Sequence, residues 1–310
     1  MDRRRVRAMG QPETACPVWA LDAAGGDLTP ALQKVIQPRI EQLARSLGAY
    51  CPSDFSYSNL YLFRKAHAYR LMSGDWPGIA GRTYDGQRHL FPLFHVREAP
   101  RPVIHALLAE HGCLFPLPAH GLHGLDDPGY RITASRDDAD YLYPASNFLD
   151  YSGRKLQKKR NLMKQFLRAR QVRCEPLTAG NAWAAQAVLA AWMQDKGKAQ
   201  GEADQRPCAE AIAQAEVFGM EGFVYFSDDV PAGFVLAQPL QGRTWAVRFA
   251  KGSDAHKGVY QFMFHDLAKR LADRADWLNF EQDMGFAGFR QAKMSYQPRW
   301  LLPKFRLTAS

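Results

Sequence analysis

The densest group of side chains able to do acid–base chemistry lies near the C-terminus, in the run Trp277-Leu-Asn-Phe-Glu-Gln-Asp-Met284. In an extended strand successive side chains alternate between faces, which places Asn279, Glu281 and Asp283 together on one face. The other face is apolar and carries Leu278, Phe280 and Met284. Paired carboxylates at the end of a strand suit the binding of an ammonium group or the removal of a proton.

A helix is expected directly after Gly285, over Phe286–Ser295. It brings two cations, Arg290 and Lys293, to the same end of the strand, followed by Tyr296. Two interpretations are open. The charged side chains either form a salt-bridge network between strand and helix, or line a cleft in which a carboxylate holds an ammonium group or takes a proton.

A second unusual feature is a run of cations without any acid between Tyr151 and Cys174. The run contains nine cations: Arg154, Lys155, Lys158, Lys159, Arg160, Lys164, Arg168, Arg170 and Arg173. A helix is expected over 156–171, because apolar side chains recur within an arc of about 140°. The opposite arc is basic, so the helix has a cationic face and an apolar face.

This cationic face is either an ordinary solvated surface or a binding surface for phosphate groups. The absence of acids favours phosphate binding, since ordinary surfaces mix both signs of charge. Lipid headgroups and an RNA backbone would satisfy it equally. Lys159 and Arg170 project into the apolar arc instead. One interpretation is that both side chains extend their charged ends into solvent. For Lys159 the alternative is that it points into a cleft and contacts an anionic substrate.

The charge of the whole chain is concentrated in this segment. The 310 residues include 40 Lys and Arg against 31 Asp and Glu, for a formal net charge of +9. The basic segment contributes +9 and the first ten residues +3, which leaves −3 for the remainder. Apolar residues make up 46 %, which excludes a disordered or fibrous protein. An anionic partner is compatible with this charge: nucleic acid, a lipid surface or an acidic metabolite.

Several motifs are missing from the sequence. No apolar run reaches the roughly 20 residues of a membrane span, and the N-terminal region lacks the apolar stretch of a signal peptide. We therefore expect a cytoplasmic protein. The five cysteines are scattered, so no metal site is expected. Walker, dinucleotide-binding and Gly-x-Ser-x-Gly motifs are absent.

Hydrophobic periodicity predicts a mixed α/β (α+β) protein with two similar halves. The second half is expected to contain helices at 181–193 and 208–217, strands at 223–227, 232–238 and 244–250, a helix at 259–274, a strand at 277–282, the helix at 286–295 and a strand at 300–307. The first half has a looser version of this order after a helix over Pro30–Leu47. Helices, an antiparallel meander and then alternating strands and helices form the order of the GNAT acyltransferase fold.

Four short stretches carry a more specific signal. They are Ser58-Asn-Leu-Tyr-Leu-Phe-Arg64, Asp140-Tyr-Leu-Tyr143, Gly153-Arg-Lys-Leu-Gln-Lys-Lys-Arg-Asn161, and Asn279-Phe-Glu-Gln-Asp-Met-Gly285 with its continuation through Arg290–Pro298. With these stretches in this order, the chain resembles the family built on the C-terminal domain of phosphatidylglycerol lysyltransferase, a tandem-GNAT aminoacyltransferase domain.

The resemblance implies two tandem GNAT-like acyltransferase domains joined by the basic helix. The expected division is a basic tail over 1–29, domains over 30–151 and 174–310, and a linker helix over 152–173. In characterised relatives an aminoacyl-tRNA donates its amino acid to a hydroxyl of a lipid headgroup. Aminoacyl-tRNA is therefore the implied co-substrate, without a resident cofactor.

The resemblance also assigns roles. The tRNA backbone needs cations, to be supplied by Lys155, Lys158, Arg160, Lys164 and Arg168. Of Glu281 and Asp283, one would hold the aminoacyl ammonium and the other would take the acceptor's proton. The ester carbonyl would be stabilised by Arg290 or Lys293, with Tyr296 as a candidate proton donor. Further substrate contacts are expected from Asn59, Arg64, Tyr143, Lys159 and Asn279.

The acceptor and two alternative functions stay open. Membrane-bound relatives carry transmembrane helices that this sequence lacks, so the acceptor is either a lipid reached from the cytoplasmic surface of the inner membrane or a small soluble molecule. An acyl-CoA N-acyltransferase, using acetyl-CoA for example, would need a phosphate-binding loop at Lys251–Gly258, where the glycine spacing differs from that motif. The third function is a non-catalytic phosphate- or membrane-binding module. Spacing does not encode the amino acid, the acceptor or the oligomeric state.

Overall fold

The computed structural model describes residues 19–21, 25–125, 127–198 and 204–310. The basic tail expected over 1–29 lies mostly outside these ranges. The described chain forms two seven-stranded sheets with helices packed against them. The predicted mixed α/β fold is therefore confirmed.

The strands and helices have the following bounds. The strands are β1 (Gly26–Asp27), β2 (Arg70–Met72), β3 (Gly78–Arg82), β4 (Arg88–Pro92), β5 (Leu114–Leu117), β6 (Tyr130–Ala134), β7 (Asp140–Pro144), β8 (Val172–Pro176), β9 (Glu221–Ser227), β10 (Val230–Pro239), β11 (Thr244–Gly252), β12 (Trp277–Asn279), β13 (Trp300–Leu302) and β14 (Phe305–Ala309). The helices are α1 (Gln33–Ala44), α2 (Tyr57–Leu62), α3 (Arg101–His111), α4 (Ser146–Asp150), α5 (Gln157–Ala169), α6 (Ala182–Asp195), α7 (Gln205–Gln214), α8 (Val259–Arg270) and α9 (Ala287–Met294). Within the described ranges, none of these helices has the length and hydrophobicity needed to cross a bilayer.

Both sheets are built on the same plan. The first has the strand order β1-β2-β3-β4-β5-β14-β6 and the second has β13-β7-β12-β11-β10-β9-β8. Neighbouring strands are antiparallel except for two parallel pairs, β4 with β5 and β11 with β12. Each sheet therefore contains an antiparallel meander, a crossover helix and a parallel strand, as the GNAT order predicts.

The two sheets exchange strands. β7 precedes residue 151 but lies in the second sheet, between β12 and β13. β14 ends the chain but lies in the first sheet, between β5 and β6. The single strand predicted over 300–307 is wrong, because Pro303 has no N–H to continue a ladder and the chain crosses between sheets there. The sheets thus do not divide at the domain boundaries expected from the sequence.

The halves also share a hydrophobic core. One buried cluster joins Ile36 and Leu90 of the first half to Phe234 of the second. Within it the rings of Tyr61 and Phe218 lie 5.0 Å apart. A second cluster covers the other face of the second sheet and is closed by α4, α5 and α8. The second sheet is therefore buried on both faces.

β11 and β12 separate at the end where the candidate acids lie. The two strands are paired over three residues, ending at Ala246 and Asn279, and β11 continues further. The strand predicted over 277–282 is too long. The Asn279 side-chain oxygen accepts from the Glu281 N–H at 2.8 Å, and Glu281 has a left-handed backbone with φ of 57°. The predicted alternation of polar side chains therefore stops at Asn279.

The basic helix predicted over 156–171 is α5. Met163 and Phe166 are buried against α8, while most of its cations face outward. α5 packs against Gly258, the residue before α8, where φ is 97° and a Cβ would lie 2.3 Å from the Leu162 carbonyl oxygen. Only glycine fits at this position, both for space and for backbone conformation.

Candidate active site

Asp283 is fully buried and accepts hydrogen bonds on both carboxylate oxygens. Oδ1 accepts from Arg290 Nη2 and from the Gly285 N–H, each at 2.9 Å. Oδ2 accepts from Arg290 Nε at 3.0 Å, Arg136 Nη1 at 3.2 Å and the Tyr141 hydroxyl at 2.5 Å. Burial alone would raise the pKa of Asp283, but the hydrogen bonds from Arg290 and Tyr141 hold it well below its usual range.

The salt-bridge interpretation therefore applies to Asp283 and Arg290. A carboxylate that is fully bonded and this acidic is a poor proton acceptor at neutral pH. Arg290 is also paired with Asp137 at 2.5 Å. Asp283 and Arg290 therefore form a structural ion pair, and their catalytic roles stay predictions. The pair fixes α9 to the segment that follows β12.

Glu281 has the opposite environment. Its side chain is 21 % exposed, and Oε1 accepts from Arg248 Nη1 at 2.7 Å. Among the described residues, no group donates to its second oxygen. Burial raises the pKa of Glu281, although the charge of Arg248 opposes the shift. A partly buried carboxylate with one open oxygen suits proton transfer or ammonium binding.

Arg248 is the main residue of this site that sequence reasoning missed. Its buried guanidinium donates to Glu281, to Gln238 Oε1 at 3.2 Å and to the Ser56 hydroxyl. Its partners come from both halves of the chain and meet where β11 and β12 separate. The signal was an arginine within the apolar run Trp245–Phe249, since a buried cation in a strand must have partners.

Lys293 lies beneath the turn after β12. Its Nζ donates to the carbonyl oxygens of Glu281 at 3.2 Å and Gln282 at 2.5 Å. Burial lowers the pKa of Lys293 to about 8, against the opposing effect of Glu281. Lys293 therefore contacts the backbone of Glu281 and not its carboxylate. A half-buried ammonium at this turn suits stabilisation of a developing negative charge.

Lys159 and Tyr296 contact each other. Lys159 Nζ lies 3.9 Å from the centre of the Tyr296 ring, a cation–π contact. Burial lowers the pKa of Lys159 and raises that of Tyr296. The Tyr296 hydroxyl accepts from Gln261 Nε2 at 2.8 Å. These contacts hold both side chains within the protein, and the expected roles of Tyr296 as a proton donor and of Lys159 as a substrate contact stay predictions.

Asn279 belongs to a buried polar network that links both halves. Its Nδ2 donates to Asp140 Oδ2 at 2.9 Å. The other oxygen of Asp140 pairs with Lys304 Nζ at 2.8 Å, and Lys304 pairs with Asp54 at 2.5 Å. Asn279 is fully buried, so the expectation that it contacts substrate is corrected. It shapes the turn that presents Glu281.

Two more of the expected substrate contacts are bonded within the protein. Tyr143 is fully buried and its hydroxyl donates to a backbone carbonyl of α9 at 2.8 Å. Arg64 makes two hydrogen bonds of 2.9 Å to Glu210 and thereby joins α2 to α7. The expected substrate role of Tyr143 is corrected because its side chain is fully buried, whereas that of the partly exposed Arg64 stays a prediction. Asn59 is half-buried on α2, which begins after Ser56, a residue that contacts the arginine of the site.

A cleft opens beside this network, on the side of the first sheet. Its cavity volume is about 30 Å³, and it is open to solvent. Its polar lining includes Asp54, His67, Tyr69, Asp138, Gln282 and Lys304. Gln282 directly follows Glu281, so the cleft adjoins the candidate catalytic turn. Sequence reasoning missed it because its residues come from separate parts of the chain.

The cations of α5, together with Lys155 in the turn just before the helix, form an exposed surface, called the α5 surface below. Lys155, Lys158, Lys164 and Arg168 are exposed, and among the residues that the structure describes none of the four is ion-paired. Arg160 differs, because it is half-buried and donates to the Tyr151 carbonyl at 2.7 Å. Four of the five cations predicted to bind phosphate are therefore free to do so.

These features define the class of protein. Two sheets of GNAT order, with an acid and a base where the parallel strands separate, make this a GNAT-like α/β protein. The family model "Phosphatidylglycerol lysyltransferase, C-terminal" matches residues 45–308. The chain belongs to this family.

Solved structures support the fold. A conserved protein from Bacteroides thetaiotaomicron is 22 % identical with a TM-score of 0.78, over 92 % of this chain and 99 % of that one. The C-terminal domain of a lysylphosphatidylglycerol synthetase from Agrobacterium fabrum is 14 % identical with a TM-score of 0.60, over 89 % and 92 %. L-PGS from Bacillus licheniformis is 15 % identical with a TM-score of 0.54, over 82 % and 91 %. A search of curated proteins found no match.

Proposed function

We propose that this protein transfers an aminoacyl group from aminoacyl-tRNA to a hydroxyl or amine of an acceptor, either a phospholipid headgroup at the cytoplasmic membrane surface or a small molecule. The observation that carries the proposal is the acid-free cationic surface of α5. Family membership supports the reaction class, since the family is described as "Phosphatidylglycerol lysyltransferase, C-terminal", a name for the transfer of an amino acid to a lipid.

The surface of α5 suits an extended polyanion. A helix of 13 residues is about 20 Å long, which is enough to contact several phosphates. Lys155, Lys158, Lys164 and Arg168 lie along it, and none of the four forms an ion pair among the described residues. Lysine and arginine contacts of this kind provide the salt-dependent part of nucleic-acid binding.

In the proposed reaction, the acceptor oxygen or nitrogen attacks the carbonyl carbon of the aminoacyl ester. A new C–O or C–N bond forms, and the ester bond to the ribose oxygen breaks. Glu281 takes the proton from the acceptor and passes it to the departing ribose oxygen. Lys293 stabilises the negative charge that develops on the carbonyl oxygen.

Other residues act by positioning these two. Arg248 holds one oxygen of Glu281 and leaves the other open. The Asp283–Arg290 pair fixes α9, and α9 presents Lys293 beneath the turn. Correct placement of both groups matters because small displacements of reacting groups are costly in rate.

The acyl-CoA alternative has less support. An acyl-CoA enzyme of this fold would bind its phosphates at the start of α8, where the helix N-terminus favours anions. Gly258 begins this helix, and its Cα packs against the Leu162 carbonyl of α5. A carbonyl oxygen placed at this point argues against a bound pyrophosphate.

The proposal is tested by tRNA binding at increasing salt. We expect binding that weakens steeply with salt and that is much weaker at low salt when four cations on and just before α5, Lys155, Lys158, Lys164 and Arg168, are changed to glutamine. The slope of log K against log salt should fall by about four, one for each phosphate contact removed. A matched control changes four other exposed lysines to glutamine: Lys34, Lys65, Lys198 and Lys269. Equal loss in both variants, or no tRNA binding at low salt, would contradict the proposal.

A further inference from the structure

Three side-chain amides form a stripe along the exposed face of α5. They belong to Gln157, Asn161 and Gln165, which are spaced four residues apart and are all exposed. At about 100° and 1.5 Å per residue, this amide stripe spans an arc of about 80° and a length of about 12 Å. No described residue forms a hydrogen bond with any of the three amides. The donors and the acceptor of each amide are therefore available to a ligand.

Cations border the amide stripe on both sides. Lys164 lies about 20° beyond Gln157 on one side, and Lys158 lies about 20° beyond Gln165 on the other. Both lysines are exposed, and within the described part of the chain neither is ion-paired. A row of groups that both donate and accept thus runs between two positively charged edges.

An open groove runs beside the amide stripe. Its volume is about 420 Å³, and its lining includes all three amides and the cations Arg154, Lys155 and Lys158. Among the described residues, no carboxylate lines this groove. It therefore provides concave space for an anionic ligand without an acid to repel it.

The packing of α5 holds this face in a fixed orientation. On the opposite side of the helix, Met163 and Phe166 are buried, and the Phe166 ring lies 5.8 Å from that of Phe262 in α8. Arg160 Nη1 donates to the Tyr151 carbonyl oxygen at 2.7 Å, which ties the start of the helix to the preceding segment. A preorganised row of binding groups loses less entropy on binding than a flexible one.

Double-stranded RNA matches this arrangement of groups. Its minor groove is wide and shallow and displays ribose 2′-hydroxyls, whereas its major groove is too deep and narrow for side chains to read. A 2′-hydroxyl both donates and accepts, as an amide does, and phosphates border the groove as the lysines border the amides. Single-stranded RNA is recognised mainly by stacking on aromatic side chains. No aromatic side chain of α5, all of whose residues the structure describes, is exposed.

We propose that the amide stripe lies in the minor groove of an RNA duplex. Gln157, Asn161 and Gln165 bond to ribose 2′-hydroxyls, and Lys158 and Lys164 contact the phosphates on either side. This inference rests on the proposed function and deepens it, because the donor of that reaction is an RNA with base-paired stems. The cations provide affinity for any polyanion, and the amides make the surface selective for duplex RNA.

Fluorescence anisotropy with labelled hairpins of one sequence tests the inference. The hairpins are RNA, DNA and 2′-O-methyl RNA, of which the last keeps the duplex geometry but loses the hydroxyl donor. At one salt concentration we expect the RNA hairpin to bind at least about tenfold more tightly than either of the others. An unpaired RNA strand of the same length should also bind more weakly than the RNA hairpin.

The triple variant Gln157→Ala, Asn161→Ala, Gln165→Ala isolates the amides. Its RNA binding should weaken at least about tenfold, to the level of DNA binding. The slope of log K against log salt should stay unchanged, because an amide displaces no counterions. Alanine favours a helix, so the fold should be retained, which circular dichroism checks. The matched control changes three exposed glutamines on other helices: Gln42→Ala, Gln194→Ala and Gln291→Ala.

The outcomes separate the inference from the proposed function. The inference is overturned if DNA, 2′-O-methyl RNA or unpaired RNA binds as tightly as the RNA hairpin, or if the triple variant binds RNA like its control. The proposed function survives these results, since its phosphate contacts need no hydroxyl. RNA-selective binding that is lost in the triple variant supports the inference, even if the protein transfers no aminoacyl group. Absence of any RNA binding at low salt contradicts both.

Discussion

The two carboxylates of the segment after β12 differ in what surrounds them. Asp283 is enclosed by two arginines and a tyrosine, which leaves it ionised and occupied. Glu281 has one arginine partner and an open side. The alternation of the sequence predicts the same surroundings for both carboxylates, because a strand pattern indicates which face a side chain lies on but not which residues it contacts. Buried partners such as Arg248 come from distant segments, so only the fold distinguishes the two acids.

At Asp283 we expect a loss of stability rather than a specific loss of chemistry. Asp283→Asn should lower the free energy of unfolding by about 2–3 kcal/mol, less than for a fully buried pair because both arginines stay partly solvated. Urea denaturation measures this, with Asp229→Asn, at a side chain 92 % exposed, as the control. The lowered pKa of Asp283 means that its stabilisation is present above the unfolded pKa near 4 and is lost as pH falls toward the folded value. An effect that persists unchanged at pH 2 would contradict this assignment.

At Lys293 we expect a pH-dependent rate. The ammonium stabilises the carbonyl oxygen only while protonated, and its pKa is lowered to about 8. Transfer should therefore decline as pH rises above about 8, after subtraction of spontaneous ester hydrolysis. Lys293→Arg should move the decline to higher pH, because arginine stays charged. Lys293→Met should reduce the rate about 100-fold. A profile that is the same in wild type and Lys293→Arg would rule out this role.

Elements with strong local patterns were predictable, and elements set by long-range contacts were not. The meander β9–β11 and the basic helix α5 follow from periodicity, since their buried faces repeat regularly. β12 ends early because the Asn279 side chain bonds to the chain two residues later. The break between β13 and β14 arises from the exchange of strands between sheets, which leaves no periodic signal.

The contact between α5 and α8 is expected to depend on a single glycine. Gly258→Ala should destabilise the fold by about 2 kcal/mol or more, because a Cβ meets the Leu162 carbonyl oxygen and the backbone has positive φ. Gly288→Ala is a matched control on α9, where a Cβ meets no atom within 4 Å. That change should be neutral or stabilise by up to about 1 kcal/mol. Thermal melting compares the two, and equal effects would show that the helices do not pack as described.

At the scale of the whole molecule, strand exchange makes the halves interdependent. β14 is an interior strand of the first sheet, and β7 is an interior strand of the second. Buried side chains of both halves also form one core. The site depends on this arrangement, since Arg248 of the second half donates to Glu281 of the same half and to the Ser56 hydroxyl of the first half.

Neither half should therefore fold alone. A fragment over 1–151 lacks β14, and a fragment over 174–310 lacks β7, so each would expose an unpaired strand edge and an open core. We expect both fragments to be unfolded by circular dichroism and proteolysis. A fragment over 174–310 that melts cooperatively would contradict this view of the molecule.

The most direct test of the central claim is an aminoacyl-transfer assay. Purified protein is incubated with tRNA charged with labelled amino acids and with a lipid and small-molecule extract, and label that leaves tRNA in covalent linkage to an acceptor is measured. We predict transfer by the wild type and a transfer rate at least about 100-fold lower in Glu281→Gln. The variant lacking the four α5 cations should also lose transfer, and high salt should cause the same loss in the wild type. The account would be contradicted if the label stays on tRNA, or appears only as free amino acid, and the protein consumes acetyl-CoA instead.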